Sequence, residues 1–258
     1  MADKPLKQAR ILITNDDGIN APGLKLLERI ARSIAGEVWV VAPESEQSGA
    51  GHSLTLRRPL RIRKVSARRF AVDGTPTDCV LMGINKIMRE RRPDLVLSGI
   101  NCGANLGEDV TYSGTVAAAM EGTLLGILSI AFSQITDDRH GPRWTVAEEW
   151  AATVIKRLYA GDWPRNVMIN VNFPDVAAGS VTGIEATCQG RRKIGDQIAE
   201  GADPRGQPYF WIGAQRSENY YKPGADLEAV SRGAISVTPL FLDLTHKPSL
   251  KALKAMFQ

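Results

Sequence analysis

Asp16 and Asp17 stand side by side in "ILITNDDGINAPG" (residues 11–23), where an apolar, strand-forming run ends in two carboxylates and a glycine. In many α/β proteins that handle nucleotides, this position carries a glycine-rich loop for phosphate. Two carboxylates repel a phosphate unless a positive charge sits between them. A divalent cation would supply that charge, and hard oxygen donors suit Mg2+ or Mn2+ better than Zn2+ or copper. Successive residues of an extended strand point to opposite faces. Both aspartates therefore reach one ion only if the chain curls, a turn that Gly18 permits. The local alternatives are a turn plus helix cap, or one aspartate on the ion and its neighbour capping a helix or orienting water.

Two more polar stretches follow apolar runs, "PESEQSGAGHS" (43–53) and "SGINCGANLGEDVTYSGT" (98–115). If those runs are parallel strands, all three loops leave one edge of a sheet, where ligands of open α/β sheets bind. Asp16, Asp17, Ser48, Asn101, Asn105, Ser113 and Thr115 can then converge, a set of carboxylate, amide and hydroxyl oxygens. "YSGTVAAAMEG" sets Ser113, Gly114 and Thr115 at the start of a helix of small residues. That is either an anion site of free N–H groups or an ordinary Ser/Thr cap. His52, His140 and His246 lie in loop or turn contexts and form no ligand pattern. The GxGxxG, P-loop, GxSxG, HExxH and CxxC patterns are absent, and Asn15 occupies the place an aspartyl-phosphate DxD motif needs filled by aspartate.

The elements that must position these residues are legible as apolar runs. "ILIT", "VWVVA" (38–42), "LVLSGI" (95–100), "ILSIAF" (127–132) and "VMINVNF" (167–173) lack polar alternation, as strands of a parallel sheet covered on both faces do. Helical stripes alternate with them: Leu24, Leu27, Ala31 and Ile34; Val80, Leu81, Ile84, Ile87 and Met88; Ala147, Trp150, Ala151, Val154 and Leu158. The expected fold is one α/β domain with a Rossmann-like, doubly wound and mostly parallel sheet. Its core spans 1–175. Residues 176–258 form a β-rich extension, with "YFWIG", "GAISVTPLFLDLT" and a short helix around "LKALKAM" as an antiparallel arm suited to pairing between chains. Residues 53–74 read as short strands or a hairpin with basic residues on the solvent side.

With 258 residues, 43% hydrophobic and 23% charged, the composition is that of a soluble globular protein, and a net charge of +4 does not force a nucleic-acid partner. "MADKPLKQAR" has no apolar signal-peptide core, and no apolar run reaches the roughly 18 residues of a membrane helix. Cys79, Cys102 and Cys188 are far apart, which argues for reduced thiols in a cytoplasm and against a disulfide or zinc framework.

"ILITNDDGINAPGL", "VVAPESEQSGAGHSLT", "VDGTPTDCV", "DLVLSGINCGANLGEDVTYSGTVAAAMEG" and "SVTPLFLDLT", in that order, resemble the SurE (survival protein E) family, densely over residues 11 to about 135. The resemblance implies a metal-dependent phosphatase acting on nucleoside 5′- and 3′-monophosphates, with some members cleaving short polyphosphate. It places the metal ligands on Asp16, Asp17, Ser48 and Asn101, with the two aspartates catalytic, and it implies dimers or tetramers formed through the C-terminal extension. Gly49, Asn105, Ser113, Gly114 and Thr115 complete the site as the substrate-binding set. Whether an aspartate orients water or attacks phosphorus stays open. Rival readings are a phosphatase acting mainly on polyphosphate or other phosphomonoesters, and a non-catalytic nucleotide- or RNA-binding module resting on the seven basic residues of "RRPLRIRKVSARR" (57–69). No membrane and no stable nucleic-acid partner are expected.

Overall fold

The computed structural model describes residues 4–136, 141–192, 198–212 and 221–257. Through its first half the elements are β1 (Arg10–Thr14), α1 (Pro22–Ile34), β2 (Glu37–Pro43), β3 (Ile62–Ser66), β4 (Arg69–Val72), α2 (Pro76–Met82), β5 (Leu95–Cys102) and α3 (Gly114–Leu124). There follow β6 (Leu128–Gln134), α4 (Thr145–Tyr159), β7 (Val167–Phe173), β8 (Gly183–Ala186), β9 (Ile198–Ala202), β10 (Pro208–Ile212), α5 (Asp226–Ser231), β11 (Ala234–Phe241) and α6 (Lys247–Met256).

Every residue of β1 is buried. Ile11 and Ile13 enter the core shared with α1 and α4, while Leu12 enters a second core with Cys79, Val80 and Ala118 of α2 and α3. This two-sided burial is why the early strands read as unbroken apolar runs. Proline at the first turn starts α1 and α2, and Thr75 with Asp78 forms a reciprocal capping box at α2.

Nine strands form one sheet in the order β3-β4-β2-β1-β5-β6-β7-β11-β8. Strands β2, β1, β5, β6 and β7 are parallel neighbours. The chain moves from β1 to one side and returns through β5 to the other, so the winding reverses between β1 and β5. Such a switch point leaves a crevice at the carboxyl ends of the two strands.

The segment "GAISVTPLFLDLT" contributes β11 to this main sheet, antiparallel to β7 and parallel to β8. The sheet thus runs on past residue 175. What stands apart from it is the β9–β10 ribbon, which carries "YFWI", and the helix α6. Residues 53–74 supply the β3–β4 hairpin at the other edge. Its arginines are largely paired: Arg58 and Arg61 with Asp73, Arg63 with Glu44, Arg69 with Glu28, and Arg68 over the Trp39 ring. Among the described residues, no helix is long and apolar enough to cross a membrane.

Candidate active site

The three loops meet beyond the carboxyl ends of β1, β2 and β5. Gln47 N–H donates to the Asp16 carbonyl (2.8 Å), and Ile19 N–H to the Pro43 carbonyl (2.7 Å), joining the first loop to the second. Gly51 N–H donates to the Tyr112 carbonyl (3.1 Å), joining the second to the third. Cys102 N–H reaches Asp17 Oδ2 at 3.4 Å, and the Thr115 hydroxyl donates to Asp16 Oδ1, closing the circle.

Gly18, at φ +95°, makes the turn after the aspartates, and an added Cβ there would lie 3.2 Å from the Ser45 carbonyl carbon. Gly114 opens α3 directly against Asp16. A Cβ on it would stand 2.8 Å from Asp16 Cβ, so the absence of a side chain is what lets the helix start touch the aspartate. Ser113 caps the same helix through its Oγ, which accepts from Val116 N–H at 3.0 Å. A register shift in β5 between Ser98 and Asn101 sets the direction in which Asn101 emerges.

Asp16 is buried, and desolvation raises its carboxyl pKa against the lowering effect of hydrogen bonds from the Thr115 hydroxyl and backbone. Asp17 is pushed up to about 6, by burial first and by the Asp16 charge second. Among the described residues, no lysine or arginine pairs with either. Two adjacent carboxylates kept in a partly dry place without a counter-charge are matched to a cation. The neutral donors fit too. Asn101 gives its Nδ2 to the Gly103 carbonyl (3.0 Å), which leaves Oδ1 as an acceptor, and Ser48 Oγ sits on the exposed second loop. No three His, Cys, Asp or Glu side chains cluster as metal ligands among the described residues, so the donors available to a cation here are two carboxylates and neutral oxygens.

The remaining residues expected at the site divide into two kinds. Gly49 is exposed in an open turn, with nothing within 4 Å of an added Cβ. Asn105 is buried behind the third loop: its N–H donates to Asn172 (2.9 Å), its Nδ2 to Ser133 (2.7 Å), and its carbonyl accepts from Asn170 and Asn172. Thr115 is fully buried with its hydroxyl given to Asp16, one step behind any bound anion. His52 pairs with Glu121 at 2.9 Å and His246 with Ser249, while His140 lies outside the described residues. A cavity of about 340 Å³ that includes Asp94, Leu128 and Val167 opens at the opposite end of the sheet, away from the aspartates.

The model of the family described as "Survival protein SurE" matches residues 11–196. The chain belongs to the SurE family. It is 69% identical to a 5′-nucleotidase SurE of Paramagnetospirillum magneticum over 96% of this chain and 95% of that one. It is 57% identical to a 5′-nucleotidase SurE of Rhodospirillum rubrum, over 98% and 97% of the two chains. The crystal structure of a SurE protein from Aquifex aeolicus superposes with a TM-score of 0.85 at 41% identity, covering 96% of this chain and all of that one.

This SurE chain also holds residues bracing the candidate site that its sequence did not announce. Asp226 accepts from the N–H groups of Gly107 (2.9 Å), Gly190 (2.8 Å) and Leu227 (2.8 Å). Arg192 pairs with Asp109. Together they pin the turn Gly107–Thr111 that leads into Ser113. Asp226 lies 119 residues from Gly107, and nothing local in the sequence signals such a contact. Glu46 accepts the Ser48 hydroxyl at 2.8 Å, inside a loop already singled out.

Proposed function

We propose that the protein hydrolyses nucleoside 5′- and 3′-monophosphates to nucleoside and phosphate, using one divalent ion, Mg2+ or Mn2+, held by Asp16, Asp17, Ser48 and Asn101. Nucleotidase activity is what the names of its full-length relatives support. The observation that carries the metal is the pair of adjacent carboxylates at the switch point, Asp16 buried and Asp17 half-buried, with no cationic partner among the described residues. When bound, such an ion supplies Lewis-acid charge to the phosphoryl group and acidifies water.

The chain's own residues do the rest. Asp16 is immobilised by Thr115 and anchors the site. Asp17, less buried, orients water for attack on phosphorus. The amino end of α3 at Ser113 and Gly114, with the exposed Gly49 turn opposite, forms the phosphate pocket, since the positive end of a helix favours an anion. Asn105 and Thr115 serve that pocket from behind. The chain works in the cytoplasm, in keeping with three free cysteines, and self-associates through the β9–β10 ribbon and α6.

The test is phosphate release from a panel of 5′- and 3′-nucleotides, polyphosphate and simple phosphomonoesters, with and without Mg2+ or Mn2+. Nucleotides should be turned over only with metal present. Full turnover after exhaustive chelation with EDTA would refute the metal role, and turnover confined to polyphosphate would refute the substrate class.

A further inference from the structure

Ser48 has one hydroxyl proton, and Glu46 holds it. Ser48 Oγ donates to Glu46 Oε1 at 2.8 Å, so its proton is not available to a phosphate oxygen and its lone pairs remain as acceptors. The loop carrying both residues is fastened to the aspartate turn by the bond from Gln47 N–H to the Asp16 carbonyl at 2.8 Å and by the close packing of Gly18 on Ser45 and Glu46.

Resting on the cation site described above, we propose that Glu46 is a positioning residue that fixes Ser48 Oγ as a cation acceptor and thereby sets the affinity of the site for its ion. The alternative role for a serine beside a phosphate pocket, donation to the substrate, is closed while this hydrogen bond stands. Glu46 stands directly before Gln47, whose N–H donates to the Asp16 carbonyl. No lysine or arginine among the described residues pairs with Glu46. Outer partners that orient a metal ligand commonly govern affinity about 10–100-fold.

The experiment measures Mn2+ binding to the full chain by calorimetric titration without substrate, for the wild type, Glu46→Ala, Glu46→Gln, Ser48→Ala and the Glu46→Ala/Ser48→Ala double variant. Glu46 is exposed, so each variant should melt close to the wild type. Glu46→Ala should weaken Mn2+ binding by about tenfold. Glu46→Gln, which keeps an acceptor oxygen, should recover part of the loss. In the Ser48→Ala background the same Glu46→Ala change should cost less than about threefold, because the residue it acts through is gone. In turnover, the loss should fall on the Mn2+ concentration for half-maximal rate more than on the maximal rate. Unchanged Mn2+ binding by Glu46→Ala, or an equal loss in both backgrounds, would overturn the proposal. A wild type that binds no Mn2+ would instead overturn the cation site on which it rests.

Discussion

Asp16 and Asp17 are neighbours in sequence with different tethers. Asp16 receives hydrogen bonds from the Thr115 hydroxyl and backbone, whereas Asp17 receives a long bond from Cys102 N–H. Replacing Asp17 by Asn keeps the volume and removes one of the two charges proposed to hold the ion. Activity should fall by more than about a hundredfold, since even partners behind a metal ligand are worth about 10–100-fold. The fold should survive, with a melting curve close to that of the wild type. Near-normal rates at low metal would make Asp17 a structural residue. Thr115→Val takes a donor away from a buried carboxylate and should cost about 1.5–3 kcal/mol of stability near neutral pH. It should also raise the requirement for the proposed metal, because Asp16 loses a hydrogen bond that favours its charged form and fixes its position. Separate metal and substrate titrations, with a denaturant melt, check both effects. The candidate ligands were legible because each follows an apolar run that the sheet aims at one edge. The destination of the Thr115 hydroxyl was not, since an N-terminal threonine of a helix serves a cap, an anion or a neighbouring carboxylate equally well on sequence grounds.

Among the elements, α3 and the turn before it do most to shape the pocket, and they are held from the far end of the chain. Asp226 satisfies three backbone N–H groups with one carboxylate, although burial raises its pKa. Asp226→Ala would leave those donors unpaired inside the protein, at about 1–3 kcal/mol for each one that water cannot reach. Urea unfolding should show a loss of at least about 3 kcal/mol, and the surviving folded fraction should turn over more slowly because Gly107–Thr111 loosens. Asp226→Asn, which retains two acceptor lone pairs on Oδ1, should lose less. Equal stability of wild type and Asp226→Ala would remove the link between the C-terminal segment and the site. The parallel strands were readable from unbroken apolar runs. The placement of β11 inside the main sheet was not, because an antiparallel strand beyond the last parallel one shows the same residue pattern in a core sheet as in a separate arm. Buried Ser236 and Thr238 among its apolar residues favoured neither setting.

At the scale of the molecule, the polar crevice at one edge of the sheet contrasts with apolar surface left uncovered elsewhere. On the β9–β10 ribbon, Phe210 is 62% exposed, Trp211 68% and Ile212 78%. Helix α6 buries none of its residues, and Leu253, Met256 and Phe257 stand in the open beside its lysines. A two-stranded ribbon is marginal by itself in water, and a ten-residue helix with no buried face is more so. Both are consistent with a second chain covering them, which is how large exposed apolar patches on folded proteins are usually explained. The position of β11 decides how to test this. Cutting the chain near Tyr209 would remove a strand paired on both sides within the main sheet, so the result would be unfolding and would say nothing about association. Charging the ribbon leaves the sheet intact. Trp211→Glu together with Phe210→Glu should convert an oligomer into a smaller species at micromolar concentration, with the rate of phosphate release changed far less than the sedimentation coefficient. Sedimentation velocity reads the first and phosphate release the second. A wild type that already sediments as a monomer, or a charged variant that keeps the wild-type coefficient, would show that the ribbon does not hold chains together.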